Sequence, residues 1–442
     1  MESLRQVWAQ SKAFRTFLII AILWFVLRLG FQFAYQSNFG EKWFLADDMQ
    51  AYKLAAERLV SHANIYRPEE MKTISAFQYA PSFALAYYPL TRLPIAVLSI
   101  GWMLVQAAVW LFLWLRWNTI LAALDLKSAK EILVRTLPVW LIFSTFWADV
   151  AYANVYVIMA LLATLLLEAV LNHRLGWSII WLGLIIQIKP QWAFPIFIPL
   201  CLREWKFLFK LLGGAGLLYL ACMGASMLAL GSGFIFSQYL AYLRFMSTLN
   251  SYFPWTKLPF LGYNHSLLQT LIHFTHWPYS ALTVGVATFI KVVLVAPLVW
   301  VSWQFGQTRR TQAHALLLAL GWYLAIFLMM DVVWEVTLAL PILALVWPTL
   351  RNTWERWGLG ILIGLYAALD IWQIITYSIW GDAILWQGNS YILTDPALYV
   401  PIILLVLLGF HAILLRSLIT QRLPRRQMVS PVIEAVQKAP PA

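Results

Sequence analysis

The chain has 442 residues, 62% of them hydrophobic and 11% charged, and a mean hydropathy of +0.73. A soluble domain is roughly half apolar and a quarter charged, so a water-soluble enzyme or binding module is excluded as the bulk of this chain. The net charge is +12, but the basic residues punctuate the ends of apolar segments and form no long stripe. That is a topology signal and not a nucleic-acid surface. Cys201 and Cys222 lie in apolar stretches without a Cys-x-x-Cys motif, and read as inert, buried thiols.

A bilayer crossing needs about 20 apolar residues. On that measure spans are predicted at 16–36, 94–116, 132–147, 151–171, 176–188, 191–202, 207–230, 281–303, 311–330, 333–350, 357–378 and 398–416. These amount to about twelve helices in one all-α transmembrane domain over 1–420. A proline-rich tail at 421–442 is expected to be disordered. Phe17–Leu27 has no cleavage site after it and runs on through 31–35, so a retained span is expected, not a leader. The two short spans flanking Lys189-Pro190 predict a helical hairpin or a broken helix. The apolar stretch Pro81–Leu93, interrupted at Pro89 and followed by Pro94, reads as re-entrant or interfacial. Besides Lys189, Arg28 and Asp370 are the only charges expected near mid-span.

With the N-terminus in the cytoplasm, most Lys and Arg fall in cytoplasmic loops, including Arg116, Lys127, Lys130, Arg203, Lys206, Arg351 and Arg416. Acids such as Asp47, Asp48, Glu69, Asp149, Asp331 and Glu335 fall on the other face. Both termini are therefore expected in the cytoplasm, with long outer loops at 37–80 and 231–280. The 25 Trp and 19 Tyr fit interfacial belts, and also sugar stacking.

Chemistry-bearing residues concentrate on the expected outer face. Asp47 and Asp48 open a segment with Met49, Tyr52, Ala56, Leu59 and Val60 on one helical side and Gln50, Lys53, Glu57 and Arg58 on the other, the pattern of a surface helix. An Asp there can cap the helix. Alternatively, an acidic pair at the mouth of an apolar cavity can act as a general base. Tyr66, then Phe77-Gln78-Tyr79-Ala80-Pro81, follow in the same loop. Lys189 inside an apolar segment is expensive; with Pro190 freeing backbone groups beside it, it suits an anionic headgroup, although a snorkelling lysine is the plainer reading. Asn264, Ser266, Trp334 and Glu335 come later on the same face. No metal or other cofactor is required by the sequence. The ligand-spaced pair His273 and His276 sits in an aromatic-rich interfacial loop and reads as unremarkable.

The order of these motifs resembles the polyprenol-phosphate-mannose-dependent α-mannosyltransferases, glycosyltransferase family 87 of the GT-C superfamily. The residues that carry the resemblance are Asp48, Tyr52, Ala55 and Ala56; Ile65-Tyr66; Phe77, Tyr79 and Pro81; Lys189-Pro190; and Asn264 with Ser266, over about residues 15–350. Departures are His62 for a glycine, Ala151-Tyr152-Ala153-Asn154 for Gly-Gln-x-Asn, and Trp334-Glu335-Val336 for Trp-x-His. The resemblance implies a GT-C-like helical bundle with an interfacial helix in the first outer loop. It also implies transfer of a hexose, mannose by the family's habit, from a polyprenyl-phosphate donor to a lipid or glycan acceptor in the membrane, with inversion. Asp48, or else Asp47, is then the base. Lys189, with Arg67 or Arg244, meets the donor phosphate. Tyr52, Tyr66, Tyr79, Asn154, Asn264, Ser266, Trp334 and Glu335 are candidates for holding substrate. A multi-spanning transporter or lipid flippase is the competing class, since it too would carry many spans and a charged, proline-broken helix.

Overall fold

The structure, a computed structural model, describes residues 2–38, 47–73, 76–253, 255, 264–305, 311–380 and 396–422. The expected disordered tail lies, beyond Arg422, outside them. All regular structure among the described residues is helical. The first half holds α1 (Glu2–Gln10), α2 (Lys12–Asn38), α3 (Asp47–Val60), α4 (Pro81–Tyr87), α5 (Ile95–Ala123), α6 (Lys127–Arg135), α7 (Leu137–Ile142), α8 (Ser144–Tyr152), α9 (Tyr156–Leu171) and α10 (Leu175–Ile188). The second half holds α11 (Phe197–Cys201), α12 (Trp205–Leu230), α13 (Ser232–Tyr252), α14 (Leu267–Thr275), α15 (Ala281–Phe305), α16 (Gln312–Met329), α17 (Ala339–Val346), α18 (Thr353–Trp380) and α19 (Pro396–Arg422).

Six of these helices, α2, α5, α12, α15, α16 and α19, contain stretches long and apolar enough to cross a bilayer, or seven if α6 and the bent α7–α8 segment count as one span. α9, α10 and Ala339–Thr349 are apolar but shorter. About twelve spans are expected from the sequence, and part of the difference arises where proline interrupts apolar runs. The expected span at 191–202 is replaced by turns at Pro190–Trp192 and Phe194–Ile196 and the single turn of α11, because proline removes a donor and clashes with the preceding turn. The expected outer loop at 231–280 is largely helical, as α13 and α14. Cys201 and Cys222 are half-buried free thiols, where buried ones were expected.

Large apolar side chains such as Leu217, Leu228, Phe289 and Trp303 are exposed on α12 and α15. Such faces suit lipid, where helices associate by close packing more than by hydrophobic expulsion from water. The α10–α12 pair shows how close. A Cβ on Gly183 would stand 2.4 Å from Leu218, and one on Gly214 would stand 2.4 Å from Ile179. The two glycines let each backbone receive the other's side chain, which fixes α10 and the lysine at its end.

Among the described residues, Arg28 and Lys291 are cations buried inside the apolar bundle. Arg28 on α2 is buried with Asp370 on α18, 3.1 Å away, and also donates to Gln32 (2.8 Å). Its guanidinium lies 5.1 Å from the Trp147 ring centroid. The expectation that Arg28 and Asp370 are the only other mid-span charges fails at Lys291. This residue is buried on α15, pairs with Asp331, and donates to the carbonyls of Met329 (3.2 Å) and Met330 (3.1 Å). It thereby holds the C-terminal end of α16, where carbonyls lack helical partners.

Removing one partner of a buried pair strands the other charge, at a cost of about 3–5 kcal/mol, whereas replacing both with apolar groups is close to neutral. Arg28→Met or Asp370→Leu alone should therefore sharply lower thermal stability in detergent, and the double variant should regain most of the loss. Additive losses in the double variant would refute the pairing.

Candidate active site

Lys189 is set by a break in α10. The residue before a proline is pushed out of the helical region, and Lys189 adopts φ −139° and ψ 89° ahead of Pro190. Its side chain leaves the helix and enters a ring of aromatics. The ammonium lies 4.2 Å from the Tyr156 ring centroid and 5.2 Å from that of Tyr79, within the range of an attractive cation–π contact.

Tyr79 is placed from three sides. Its hydroxyl is 3.0 Å from that of Tyr52 on α3, and its carbonyl accepts from the Tyr66 hydroxyl at 2.7 Å. The next residue, Ala80, donates its N–H to the Gln187 carbonyl at 3.2 Å, two residues before Lys189. The Gln187 side chain also accepts from the Ser82 hydroxyl. The loop before α4 is thus tied to the end of α10, which fixes Tyr79 against Lys189. Tyr52, with Tyr79, Phe83 and Tyr87 packed edge-on around it, belongs to the buried face of α3. Met49, Ala51, Ala55, Ala56 and Leu59 complete that face, in close agreement with the predicted amphipathic pattern.

Asp48 lies one helical turn before Tyr52 and is half-buried. Its charge acts on Tyr52, Tyr79, Tyr156 and Lys189, so it belongs to the same cluster. Burial raises the Tyr52 and Tyr79 phenols well above their usual range, with Asp48 adding to the effect; both are neutral donors at any ordinary pH. Asp47 is the first residue of α3, and its side chain lies outside the described residues.

A second carboxylate, Asp149 on α8, acts on Lys189 through its charge. Ala153 takes a left-handed conformation (φ 52°) and ends that helix. Asp149 then accepts from the N–H groups of Tyr156 (3.0 Å) and Val157 (2.9 Å) and from the Gln106 side chain (2.8 Å). An acidic cap on the positive end of α9 is favourable in itself, and it orients Tyr156 toward Lys189. From the sequence Asp149 is legible only as an outer-face acid, and Tyr156 carries no local signal of its own. The signal available was an Asp seven residues before an aromatic at the head of an apolar run. Asn154 spends its side-chain oxygen on the N–H of Val155 (2.6 Å) and its carbonyl on Trp102 (2.9 Å) and Gln106 (2.8 Å).

The remaining candidates divide. Asn264 is fully buried. Its side chain accepts from Ser266 N (3.1 Å) and Val333 N (3.0 Å) and donates to the Asp331 carbonyl (2.9 Å). Ser266 caps α14 by accepting from Gln269 N at 3.1 Å. Together they hold the segment that carries Trp334, half-buried, and Glu335, buried with Thr145 and Tyr366. Arg67 is half-buried and donates to the Asn64 carbonyl (3.4 Å), while Arg244 is exposed on α13. Neither joins the Lys189 cluster among the described contacts. No three His, Cys, Asp or Glu side chains converge as metal ligands among the described residues.

The arrangement unites a desolvated ammonium, a carboxylate with partial solvent access, a capping carboxylate and a wall of aromatics with neutral hydroxyls. It can draw in an anion, stack a ring and accept a proton. Comparison with known families finds that the model of glycosyltransferase family 87 matches residues 77–331, more than half of the chain. Comparison with curated proteins and with solved structures gives no match. The matched segment contains Tyr79, Asp149, Tyr156, Lys189 and Asn264. It begins after Asp48, Tyr52 and Tyr66, and ends before Trp334 and Glu335.

Packing around Lys189 pulls its ammonium down to about 8, against the opposing pull of Asp48 and Asp149. The group is charged below that value and neutral above it. Binding of a phosphate-bearing lipid to the free protein should therefore weaken as pH rises through about 8. Lys189→Arg should flatten that pH dependence, because a guanidinium does not titrate there. A wild-type affinity unchanged from pH 7 to 10 would contradict the role of this charge.

Proposed function

The chain belongs to glycosyltransferase family 87, and from that premise we propose that this membrane glycosyltransferase moves a hexose, mannose in the simplest case, from a polyprenyl-phosphate donor to a hydroxyl of a lipid or glycan acceptor, with inversion. Catalysis takes place on the non-cytoplasmic side, with both termini in the cytoplasm. The observation that carries this reading is the Lys189 ammonium held over the rings of Tyr79 and Tyr156 within electrostatic reach of Asp48. On this reading the phosphate-binding charge and the base belong to one aromatic cluster.

The chemistry follows from these groups. The acceptor hydroxyl gives its proton to the Asp48 carboxylate as its oxygen forms a bond to the anomeric carbon. The bond from that carbon to the phosphate oxygen breaks, and the electron pair leaves on the lipid phosphate. Negative charge grows on that oxygen in the transition state, where the desolvated Lys189 ammonium favours it more strongly than water would. A single displacement on the face opposite the leaving group inverts the anomeric centre. The neutral phenols of Tyr52 and Tyr79 and the ring faces of the cluster supply donors and stacking surfaces for the sugar. Asp149 both caps α9 and favours the charged state of Lys189, so it contributes through that residue.

Transfer of radiolabelled hexose from polyprenyl phosphate to an endogenous acceptor in membranes tests the assignment. Asp48→Asn should lower turnover by about 10²–10⁴-fold, the usual contribution of a positioned base, with donor binding retained. Lys189→Met should lose donor affinity and rate together. Asp47→Asn should stay near wild type. Normal turnover in Asp48→Asn would place the base elsewhere.

A further inference from the structure

A buried polar atom left without a hydrogen bond is costly, so each one calls for a reason. Gln187, in the last turn of α10, is only 7% exposed. Its main-chain carbonyl accepts from the Ala80 N–H at 3.2 Å. Its side-chain oxygen accepts from the hydroxyl of Ser82, in the first turn of α4. Its amide nitrogen Nε2 is buried and has no hydrogen-bond partner among the described residues. The side chain is therefore anchored at its acceptor end and unused at its donor end.

Contacts on one short stretch of chain place this amide beside Lys189. Ala80 and Ser82 hold Gln187, and Tyr79 sets its ring centroid 5.2 Å from the Lys189 ammonium. The two side chains thus lie against the same four residues, 79–82. The polar groups of Tyr79 are already spent, its hydroxyl on Tyr52 (3.0 Å) and its carbonyl on the Tyr66 hydroxyl (2.7 Å). An ammonium over ring faces and an amide nitrogen with no partner stand along this stretch. Both donate and neither accepts, which suits the oxygens of an anion. They differ in what they add. An ammonium is a compact charge on a flexible stem that attracts an anion from any angle. An amide fixed through its oxygen presents its N–H groups in one plane.

We propose that Gln187 is a further substrate-binding residue, whose amide N–H donates to a non-bridging oxygen of the donor's phosphate. Lys189 attracts that group, and Gln187 sets how it is turned. Ser82 is a positioning residue that acts through the amide. The proposal rests on the glycosyl-transfer reading of the same site. Orientation counts there, because the bond from the anomeric carbon to the phosphate oxygen must lie in line with the attacking hydroxyl. Binding would also give the unused nitrogen the acceptor that the fold withholds.

Equilibrium binding of polyprenyl phosphate and of uncharged polyprenol to the purified full chain in nanodiscs, without acceptor, tests it. Gln187→Met keeps the length of the side chain and removes the amide. It should weaken binding of polyprenyl phosphate about tenfold, the scale of one hydrogen bond to a charged group, and leave polyprenol unchanged. Ser82→Ala, which frees the amide without removing it, should shift the same preference in the same direction by a smaller factor. Equal losses for both lipids in Gln187→Met would mark Gln187 as merely structural and overturn the proposal, as would an unchanged affinity for polyprenyl phosphate. Should Gln187→Met fail to fold, an unaltered preference in Ser82→Ala overturns it instead. Lys189→Met separates the two levels of the reading. If that variant loses the preference for the phosphorylated lipid while Gln187→Met keeps it, this inference alone falls. A wild type that binds the two lipids equally well overturns the phosphate site itself, and this inference with it.

Discussion

The site is organised around a half-buried cation held over aromatic rings. Arg28 and Lys291 also lie inside the bundle, but each is bonded directly to a carboxylate, Asp370 or Asp331. Such a pair satisfies its own field locally and has little left to offer a third charge. Lys189 is held instead between the faces of Tyr79 and Tyr156, with Asp48 and Asp149 acting through space. An aromatic face stabilises a cation by its quadrupole and carries no net charge. The ammonium can therefore persist away from bulk water and still attract a phosphate strongly, because the dielectric around it is low.

Holding a lysine in that state constrains much of the surrounding fold. Pro190 ends α10 and turns the side chain outward. Gly183 and Gly214 bring α10 and α12 together. The hydrogen bond from Ala80 to Gln187 sets Tyr79 in register with the end of α10, and the Asp149 cap does the same for Tyr156 on α9. Apart from the two glycines, which lie inside their helices, each of these is a device on a helix end or break, and such positions give finer control over a side chain than the middle of a long apolar helix. The short helices and the reduced count of full-length spans have the same origin. Breaks at proline and at a left-handed residue lower the number of uninterrupted crossings and raise the number of helix ends that can position side chains of the Lys189 cluster.

Much of this was legible in the sequence, and the failures have physical reasons. Asp48, Tyr52, Tyr79 and Lys189 could be picked out because a charge or a tyrosine beside a helix start or a proline in an otherwise apolar chain is a conspicuous local event. The structure brings all four into one cluster. The buried face of α3 followed from its periodicity. Tyr156 gives no such local signal, since a tyrosine heading an apolar helix resembles any interfacial aromatic until the cap from Asp149 is seen. Arg28 and Asp370 were visible singly, but their pairing spans 342 residues of sequence, and nothing local encodes it. Lys291 escaped because the run around it is apolar enough to pass as an ordinary span, and the partner that makes it tolerable lies on a different segment. Asn264 and Ser266 read as substrate ligands from their motif, whereas their polar atoms serve the turn and the α14 cap.

The boundaries of the family match give this division a chemical sense. Residues 77–331 contain Lys189, both of its ring faces and the Asp149 cap, the half of the cluster assigned to the donor phosphate in the proposed reading. Asp48, the proposed base, lies before that segment. Glu335 and Tyr366 lie after it. On the proposed reading, the part held in common with the family handles what every donor of this type shares, a lipid phosphate leaving group. The N-terminal flank, which carries Asp48, handles which hydroxyl is deprotonated. The anchoring of α18 to α2 through Asp370 and Arg28 then gains a purpose beyond stability. It joins the N-terminal flank to the C-terminal flank across the bundle, so that the two ends of the chain outside the matched segment are tied to each other by a buried ion pair.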